Sequence, residues 1–557
     1  MFNPIRSRRR SGAAPSRWRR LGAAVATVAA TALVVTGCSA GGASSSGGSA
    51  LSIANVGGAT WTCGFNPFNP AVSQEAFGFA YEPLVYVNTL KNGAETPMLA
   101  SESNWSSDYK TLTFTIRSGV KWSDGTALTA KDVAYTFNLL KAHKGLDLNA
   151  IWQSGLQSVT QDGSKVVFQF DAAAQPYFYY IADQTPIVPS HIWSAIKNPT
   201  TFTNAKPVGS GPYKVASCTP QNIQYTANTG YWQSGKPAVK VVNYPAYTDN
   251  SPANQDLANG KAQWGGQFIP SIDKYYVAKD KAHNHYWSPP VANVSLAFNL
   301  KHATTGNVAV RQAIAYALDR SEIAKVGEDG QQPAANQSGI VLPTFKDWYD
   351  QDLAKQYDYT QNTDKATQLL ASAGYSASHP LKLTALSVSG YTDWDASLQE
   401  IKQELAKVNV DLTVQDLAGQ TYNTRLYQGD FDLAYISETG GPVPYYELRQ
   451  ELYSGNTAPL GQNASTNYMR FSDPAVDRLL DAYPSASESG QHEIVSQLQK
   501  VMLTQVPIIP TTEQVTWFQY NTKNFTGWPS KSDPYALPAP YSIPDVEQVL
   551  LHVKPTS

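Results

Sequence analysis

The chain has 557 residues, with 42 Lys plus Arg against 44 Asp plus Glu, 15% charged residues, and 11% aromatics that include 13 Trp and 32 Tyr. That length exceeds one ordinary domain, a 42% hydrophobic fraction supplies more than one core, and no charge block or Gly/Pro repeat dominates, which excludes a wholly disordered or collagen-like chain. The first 38 residues hold seven Arg and no acid, so the remainder carries 35 bases against 44 acids, a net charge of −9 that excludes a broad basic surface for nucleic acid.

After Arg20 comes an apolar run from Leu21 to Val35, then Thr36-Gly37-Cys38. Its 15 residues make a helix of about 22 Å, short of a ~30 Å bilayer, so the layout is that of a signal peptide and not of a permanent span. Val35-Thr36-Gly37-Cys38 resembles a bacterial lipobox, which makes residues 1–38 a lipoprotein signal peptide and Cys38 the lipidated residue. Ordinary cleavage with release of a free protein is the alternative. Residues 39–50 contain only Gly, Ser and Ala and form a flexible tether. Gly37-Cys38-Ser39-Ala40-Gly41 fits the G-x-S-x-G pattern of hydrolases, but no strand precedes it to build a nucleophile elbow. With Cys38 lipidated, Cys63 and Cys218 remain in an exported chain; a disulfide and two buried free thiols both fit.

Thr111 to Arg117 alternates, with Leu112, Phe114 and Ile116 on one face, and predicts a half-buried strand. Asp124-Gly125 marks a turn, and Thr129 with Asp132 forms a capping box that opens a helix bearing Val133, Phe137 and Leu140. Val310, Ala313, Ile314, Ala317 and Leu318 share one face of a helix leading into Asp319-Arg320. A helix over 364–373 stops at Gly374, followed by a strand over 381–388, a helix over 398–408 and a strand over 410–414. Such alternation predicts an α/β layer architecture. No other apolar stretch approaches membrane-spanning length, and no repeat of solenoid period is present.

Six stretches taken in order carry a resemblance. They are Tyr81-Glu82-Pro83-Leu84-Val85, the run from Ile116 through Lys121-Trp122-Ser123-Asp124-Gly125 to Val133, Ile187-Val188-Pro189-Ser190-His191, Val208-Gly209-Ser210-Gly211-Pro212-Tyr213-Lys214, Val310-Arg311-Gln312-Ala313-Ile314 through Asp319-Arg320, and Gly429-Asp430-Phe431-Asp432. Together they are similar to the extracellular solute-binding proteins of ABC importers, family 5, the oligopeptide, dipeptide and nickel-binding group. The resemblance implies an α/β, two-lobed fold like that of periplasmic binding proteins (type II, class C), with an extra domain and discontinuous lobes joined by a hinge. Lobe I then falls at 51–95, 209–296 and 512–557, the extra domain II at 96–208, and lobe III at 297–511.

It further implies a non-enzymatic, monomeric importer subunit without cofactor. That subunit is held by the lipid on Cys38 at the extracellular face of the cell membrane, closes on its ligand between the lobes, and delivers it to permease and ATPase partners. In this reading Lys121, Asp124, Arg311 and Asp319 serve folding, the last two as an ion pair or as helix-end partners.

Peptide binders of the family hold the peptide amino terminus with an Asp in a Trp-x-x-Asp-Tyr stretch just beyond the Phe-Asp motif. Here Phe431-Asp432 leads instead to Tyr435-Ile436-Ser437-Glu438-Thr439-Gly440-Gly441-Pro442, without that Trp or Asp, and Glu438 is the remaining carboxylate. An α-ammonium buried without a counter-charge is expensive, so the departure weighs against ordinary peptides.

Trp61, Trp264, Trp287, Trp394 and Trp517 lie in segments the family places near the cleft, and flat indoles suit the C–H faces of sugar rings. Trp264-Gly265-Gly266 and Gly440-Gly441-Pro442 resemble the cello-oligosaccharide-binding branch. The expected ligand is therefore an oligosaccharide, with an oligopeptide as the alternative. Trp61, Trp264 and Trp394 are the expected stackers, Trp517 is a further expected ligand-binding residue, and Asn66, Gln267, Glu438 and Tyr445 are the hydroxyl partners. Core packing is the competing role for each Trp, and turn capping for Asn66.

Three other classes share some of these features. A secreted glycoside hydrolase would also use a Trp-rich cleft and paired carboxylates. A metal binder has only the His283 and His285 pair to offer, with no Cys/His cluster at zinc spacing, so no metal ligands are assigned. A sensor or adhesin would share the same lipoprotein layout.

Overall fold

The computed structural model describes residues 50–56, 60–69 and 75–556; the expected signal peptide, Cys38 and the tether through residue 49 lie outside them. Three larger sheets organise the chain. A seven-stranded sheet runs in the order Asn284–Tyr286, Gln519–Asn521, Trp264–Gly265, Leu51–Ala54, Val241–Pro245, Asn222–Ala227, Tyr213–Thr219. A four-stranded antiparallel sheet follows the order Ala100–Trp105, Thr111–Ile116, Lys165–Phe170, Leu156–Asp162. A five-stranded mixed sheet has the order Val410–Leu417, Leu381–Val388, Leu433–Ser437, Pro290–Phe298, Ile508–Val515. The fold is the expected two-lobed α/β architecture. Among the described residues no helix is long and apolar enough to cross a membrane.

Local chemistry explains the motif stretches. In the strand Thr111–Ile116, Leu112, Phe114 and Ile116 face the core while the threonines are half-exposed. The helix Ala130–Ala142 opens with the predicted capping box, the Thr129 N–H donating to Asp132 Oδ2 at 2.9 Å. The other Asp132 oxygen accepts from the Ser190 N–H at 2.9 Å and the Ser190 hydroxyl at 2.7 Å, so one buried carboxylate ties two motif stretches together. Gly211 donates its N–H to the Ala80 carbonyl at 2.8 Å, and a Cβ there would stand 2.4 Å from the Phe79 carbonyl oxygen. Glycine is required by that backbone contact.

Arg311 and Asp319 do not pair with each other; both serve helix ends. The Arg311 guanidinium donates to the Gln505 and Val506 carbonyls that close the helix Glu488–Gln505, and Asp319 accepts from the Ser321 and Glu322 N–H groups at the start of Arg320–Gly327. The helix expected over 398–408 begins earlier, as Thr392–Ala406, because its first turn is held by the buried Trp394 and Tyr391 supplies no capping side chain. His283 sits in a turn and pairs with Asp280, Nδ1 to Oδ1 at 2.9 Å, while His285 lies on the edge strand Asn284–Tyr286 against the Tyr520 ring, so the two imidazoles are engaged separately.

Two large cores follow from these sheets. One joins the seven- and four-stranded sheets through residues such as Phe79, Leu112, Phe137, Val242, Trp264 and Val549; the other surrounds the five-stranded sheet with Leu296, Ile314, Leu383, Leu398, Leu433 and Leu498. We refer to these as the first and second bodies. The extra sheet thus shares its core with the first body. Cys63 and Cys218 are bonded, with Cα atoms 5.7 Å apart, fastening the 60–69 segment to the edge strand Tyr213–Thr219 across 155 residues of sequence.

The chain crosses between the bodies along the antiparallel pair Pro290–Phe298 and Ile508–Val515. Hydrogen bonds from Thr516 N to Pro289 O at 2.8 Å and from Trp287 N to Phe518 O at 3.2 Å carry the pairing into the first body. Both strands belong to the second body's sheet over their whole length, so sheet pairing changes hands near 290 and 515.

Candidate ligand-binding cleft

A cavity of about 300 Å³ opens where the two bodies meet at the crossing strands. That is the lower end of the ~300–1,000 Å³ range of small-ligand clefts. The first body contributes Thr89, Leu90, Tyr179, Gln184, Leu537, Tyr541, Ser542, Ile543 and Asp545, and the second contributes Thr344, Phe345 and the segment 438–441. Val291, Ala292, Gln514, Val515 and Thr516 form the wall at the crossing. A cavity of similar size between Leu318–Ser321 and Tyr357–Gln361 is lined by the second body alone.

The cleft lining mixes amide, hydroxyl, aromatic and carboxyl groups with the aliphatic side chains of Leu90, Val291, Ala292, Val515, Leu537 and Ile543, and it contains no Lys, Arg or His. Gly440 sets its shape, since a Cβ there would stand 2.0 Å from the Val291 carbonyl oxygen; the 438–441 segment lies directly on the crossing strand. Asp545 Oδ1 accepts from the Tyr86 hydroxyl at 2.7 Å and the Leu537 N–H at 2.8 Å, and burial lifts its pKa to about 6. Behind it Asp183 accepts from the Val87 N–H and from Gln184, and burial followed by the nearby Asp545 pushes its carboxyl well up. Glu438 is likewise pushed well above the usual carboxylate range, by burial and then by Glu451 and Glu447. One carboxylate oxygen from each of Glu438, Glu447 and Glu451 lies within 4.8 Å of the others, the one cluster among the described residues that could hold a metal ion.

Among the described residues the bodies also meet away from the crossing strands. The Tyr446 hydroxyl donates to the Pro176 carbonyl at 2.6 Å, and its ring meets those of Tyr179 and Tyr180 edge to face. Elsewhere Gln331 donates to the Ile269 carbonyl at 2.9 Å and the Ser271 N–H donates to Asp329 at 2.6 Å.

Of the residues expected at the site, Glu438 lines the cleft. Trp517 adjoins it, half-buried against Phe268, its backbone N–H donating to the hydroxyl of the lining residue Tyr541 at 3.0 Å. The others are placed elsewhere, as follows. Trp264 is fully buried, edge-on to Trp528, with Nε1 donating to the Pro538 carbonyl at 2.8 Å. Trp61 is buried against Tyr244 and donates to that residue's carbonyl. Trp394 is buried between Tyr391 and Tyr435, and Tyr445 is stacked on Tyr483 with centroids 4.0 Å apart. Asn66 donates to the Pro199 and Phe202 carbonyls and accepts from the Phe68 N–H, a turn-capping role, and Gln267 bonds Asn254 inside the first body. In this structure the indoles pack the interior because their area stabilises a core as well as it would a ligand.

Sequence reasoning missed Tyr179, Gln184, Gln514, Thr516, Tyr541 and Asp545. No spacing in the chain links them. The fold brings Gln184 beside Asp545, and only the return of the C-terminal segment to the first body makes them neighbours.

Comparison with known proteins adds an independent line. The family model described as bacterial extracellular solute-binding proteins, family 5 Middle, matches residues 95–459. The chain is 24% identical over 479 residues to the oligopeptide-binding protein OppA of Bacillus subtilis, spanning 81% of this chain and 85% of that protein. It is 24% identical over 454 residues to the periplasmic murein peptide-binding protein MppA of Escherichia coli, spanning 76% and 80%. Among solved structures, the periplasmic oligopeptide-binding protein of Thermotoga maritima with mannohexaose bound is similar at a TM-score of 0.81 and 25% identity, covering 91% of this chain and 98% of that one.

Proposed function

The chain belongs to the bacterial extracellular solute-binding proteins of family 5, and on that premise we propose that the ligand taken by its interbody cleft is a neutral oligosaccharide. At the level of the family the protein is a substrate-binding component of an ABC importer. The observation that carries the sugar reading is the lining: Gln184, Gln514, Thr89, Thr344, Thr439, Thr516 and Ser542 offer amides and hydroxyls, Tyr179 and Tyr541 offer ring faces, and no cationic side chain is present. Such a wall suits a ligand with an apolar C–H face and a hydroxyl rim, and suits an anionic ligand poorly. The mannohexaose carried by the similar Thermotoga maritima protein supports the same class.

In this reading Glu438 and Trp517 keep their expected roles at the site, joined by the six cleft residues named above. Closure about the crossing strands buries the ligand, and the closed form engages permease and ATPase subunits. Lipidation of Cys38 holds the protein at the outer face of the cell membrane. Metabolic labelling with a fatty acid that is lost in Cys38→Ala tests the anchor.

One observation favours a second reading. Glu438 stands at the cleft wall with both carboxylate oxygens lacking a hydrogen-bond partner, a placement that suits a peptide ammonium, and the relatives OppA and MppA are peptide-binding by name. A thermal-shift screen with manno-, cello- and xylo-oligosaccharides and a pool of short peptides separates the two. A ligand at 100 times its dissociation constant adds ~2.7 kcal/mol of stability. Shifts with sugars alone support the first reading, and shifts with peptides alone overturn it in favour of the second.

A further inference from the structure

Behind the cleft wall the second body buries more carboxyl oxygens than its hydrogen bonds satisfy. Glu447 and Glu451 stand one turn apart on the helix Tyr445–Leu452, and Glu438 reaches them from the end of the strand Leu433–Ser437. Like charges at that helical spacing repel. Glu451 is 2% exposed, and both its carboxylate oxygens lack a hydrogen-bond partner, as do both of Glu438. Among the described residues, none of the three forms an ion pair with a Lys, Arg or His. The nearby Arg449 is turned away, onto the Tyr453 ring and the Tyr177 hydroxyl.

An independent observation comes from a neutral side chain. Ser295 is fully buried on the adjacent strand; its hydroxyl has no partner in good hydrogen-bond geometry, and it approaches Glu438 closely enough to favour that carboxylate's charged form. The register explains the facing: Ser295 pairs with Ile436, and the Glu438 N–H donates to the Asn293 carbonyl, so 293, 295 and 438 share one face of the sheet. Asn293 in turn holds Glu447 in place, its backbone N–H and Nδ2 both donating to Oε1, at 3.0 and 2.7 Å. A carboxylate oriented by such an outer partner, next to unpaired oxygens, is how proteins build metal sites.

We propose that Glu438, Glu447 and Glu451, with the Ser295 hydroxyl, bind a hard divalent cation, Ca²⁺ by the character of the donors. Calcium takes oxygen ligands at about 2.3–2.6 Å, so two ligands on opposite sides of one ion stand about 4.6–5.2 Å apart. The three carboxylate oxygens all fall within 4.8 Å of one another and fit around a single ion. All donors are oxygen, with no imidazole or thiolate to select zinc or nickel. One ion removes the mutual repulsion and satisfies the stranded oxygens together. No local pattern of Cys, His or acidic residues marks the cluster, because these carboxylates meet only through strand-to-helix packing. Glu438 belongs both to this cluster and to the cleft wall, so an ion held here leaves that carboxylate unavailable to a peptide ammonium; the inference does not otherwise depend on the ligand class proposed for the cleft.

The test uses the purified protein stripped with chelator, then dialysed against Ca²⁺, with bound metal counted by elemental analysis and melting followed in EDTA, Ca²⁺, Mg²⁺, Zn²⁺ and Ni²⁺. The expected result is one Ca²⁺ per chain and a melting point that rises by several degrees with Ca²⁺ concentration and falls in EDTA. Ser295→Ala weakens Ca²⁺ binding about tenfold while melting like the parent in EDTA, and Glu451→Gln abolishes both the bound ion and the shift. Should Glu451→Gln fail to fold, the parent protein and Ser295→Ala still decide. The proposal is overturned if the parent binds no Ca²⁺ and melts alike in EDTA and Ca²⁺, if Zn²⁺ or Ni²⁺ binds in preference, or if Glu451→Gln is stabilised equally with and without metal. The last result means that the cluster holds protons. Oligosaccharide shifts measured in EDTA test the cleft separately.

Discussion

Tyr446, at the head of a second-body helix, donates its hydroxyl to the carbonyl of Pro176 in the first body, 2.6 Å away. This hydrogen bond exists only while the bodies are together, so it biases the open–closed equilibrium and not the folding of either body. Tyr446→Phe keeps the ring contacts with Tyr179 and Tyr180 and removes about 0.5–1.5 kcal/mol from the closed form. The expected outcome is a larger radius of gyration by X-ray scattering and ligand affinity lowered about 2- to 10-fold, at an unchanged melting point. An unchanged radius with a lower melting point would assign Tyr446 to the second body's core alone.

Trp264 separates packing from recognition. The ring is fully buried and its N–H is bonded, so Trp264→Ala is expected to cost ~3–5 kcal/mol of stability. Trp264→Phe leaves the Pro538 carbonyl without its donor and costs less, with ligand affinity kept within about twofold. Denaturant unfolding paired with a ligand titration checks both, and a selective loss of affinity would return Trp264 to the site.

Glu513 on the crossing strand links stability to pH. Burial lifts its carboxyl pKa to about 7 despite the opposing hydrogen bond from the Leu342 N–H. The folded state therefore holds a proton that the unfolded chain, near pKa 4.5, has released, so this group's contribution is intact below about pH 4.5 and declines as pH rises to about 7. Glu513→Gln removes that decline. Relative to the parent it is expected to gain stability on the order of 3 kcal/mol at pH 8 and none at pH 4.5, as read by urea unfolding at the two pH values. A parallel pH profile in the variant would show that Glu513 is ionised when folded.

Gly440 has no room for a side chain. Gly440→Ala drives a methyl group into the Val291 carbonyl, so the 438–441 segment must lift from the crossing strand. The expected result is a loss of ~1–3 kcal/mol, together with a ligand affinity reduced more than tenfold, because the same segment forms the cleft wall. Retention of full affinity would show that the ligand does not rest on that wall.

The Cys63–Cys218 bond closes a long loop, so its reduction acts largely on the unfolded chain. Replacing both cysteines by serine is expected to lower stability by ~2–5 kcal/mol while leaving the cleft, which neither residue lines, able to bind. Melting with and without reductant, beside ligand titration of the double variant, checks the two halves of that statement.

Local order was legible in the sequence where one physical cause controlled it. Thr111–Ile116 and Leu381–Val388 read correctly because burial on defined faces imposes a regular apolar pattern, and the Thr129–Asp132 box read correctly because capping is a four-residue event. The start of Thr392–Ala406 was missed because no capping side chain marks it. The cleft was hardly legible at all. Glu438 was found through its motif position, whereas Tyr179, Gln514 and Asp545 have no local signature. The tryptophans misled because large apolar area is equally useful inside a core, and only solvent exposure in the folded state tells the two uses apart.

The strand Gln519–Asn521 lies inside the seven-stranded sheet, between Asn284–Tyr286 and Trp264–Gly265, though it comes from the last tenth of the chain. A polypeptide lengthening from its amino terminus therefore gathers every residue of the second body before the first can be completed. Nascent or threading chains pass through a stage with one half finished and the other still missing an inner plank. A stop codon near the end would remove that plank, and the damage would fall on the half that was begun first.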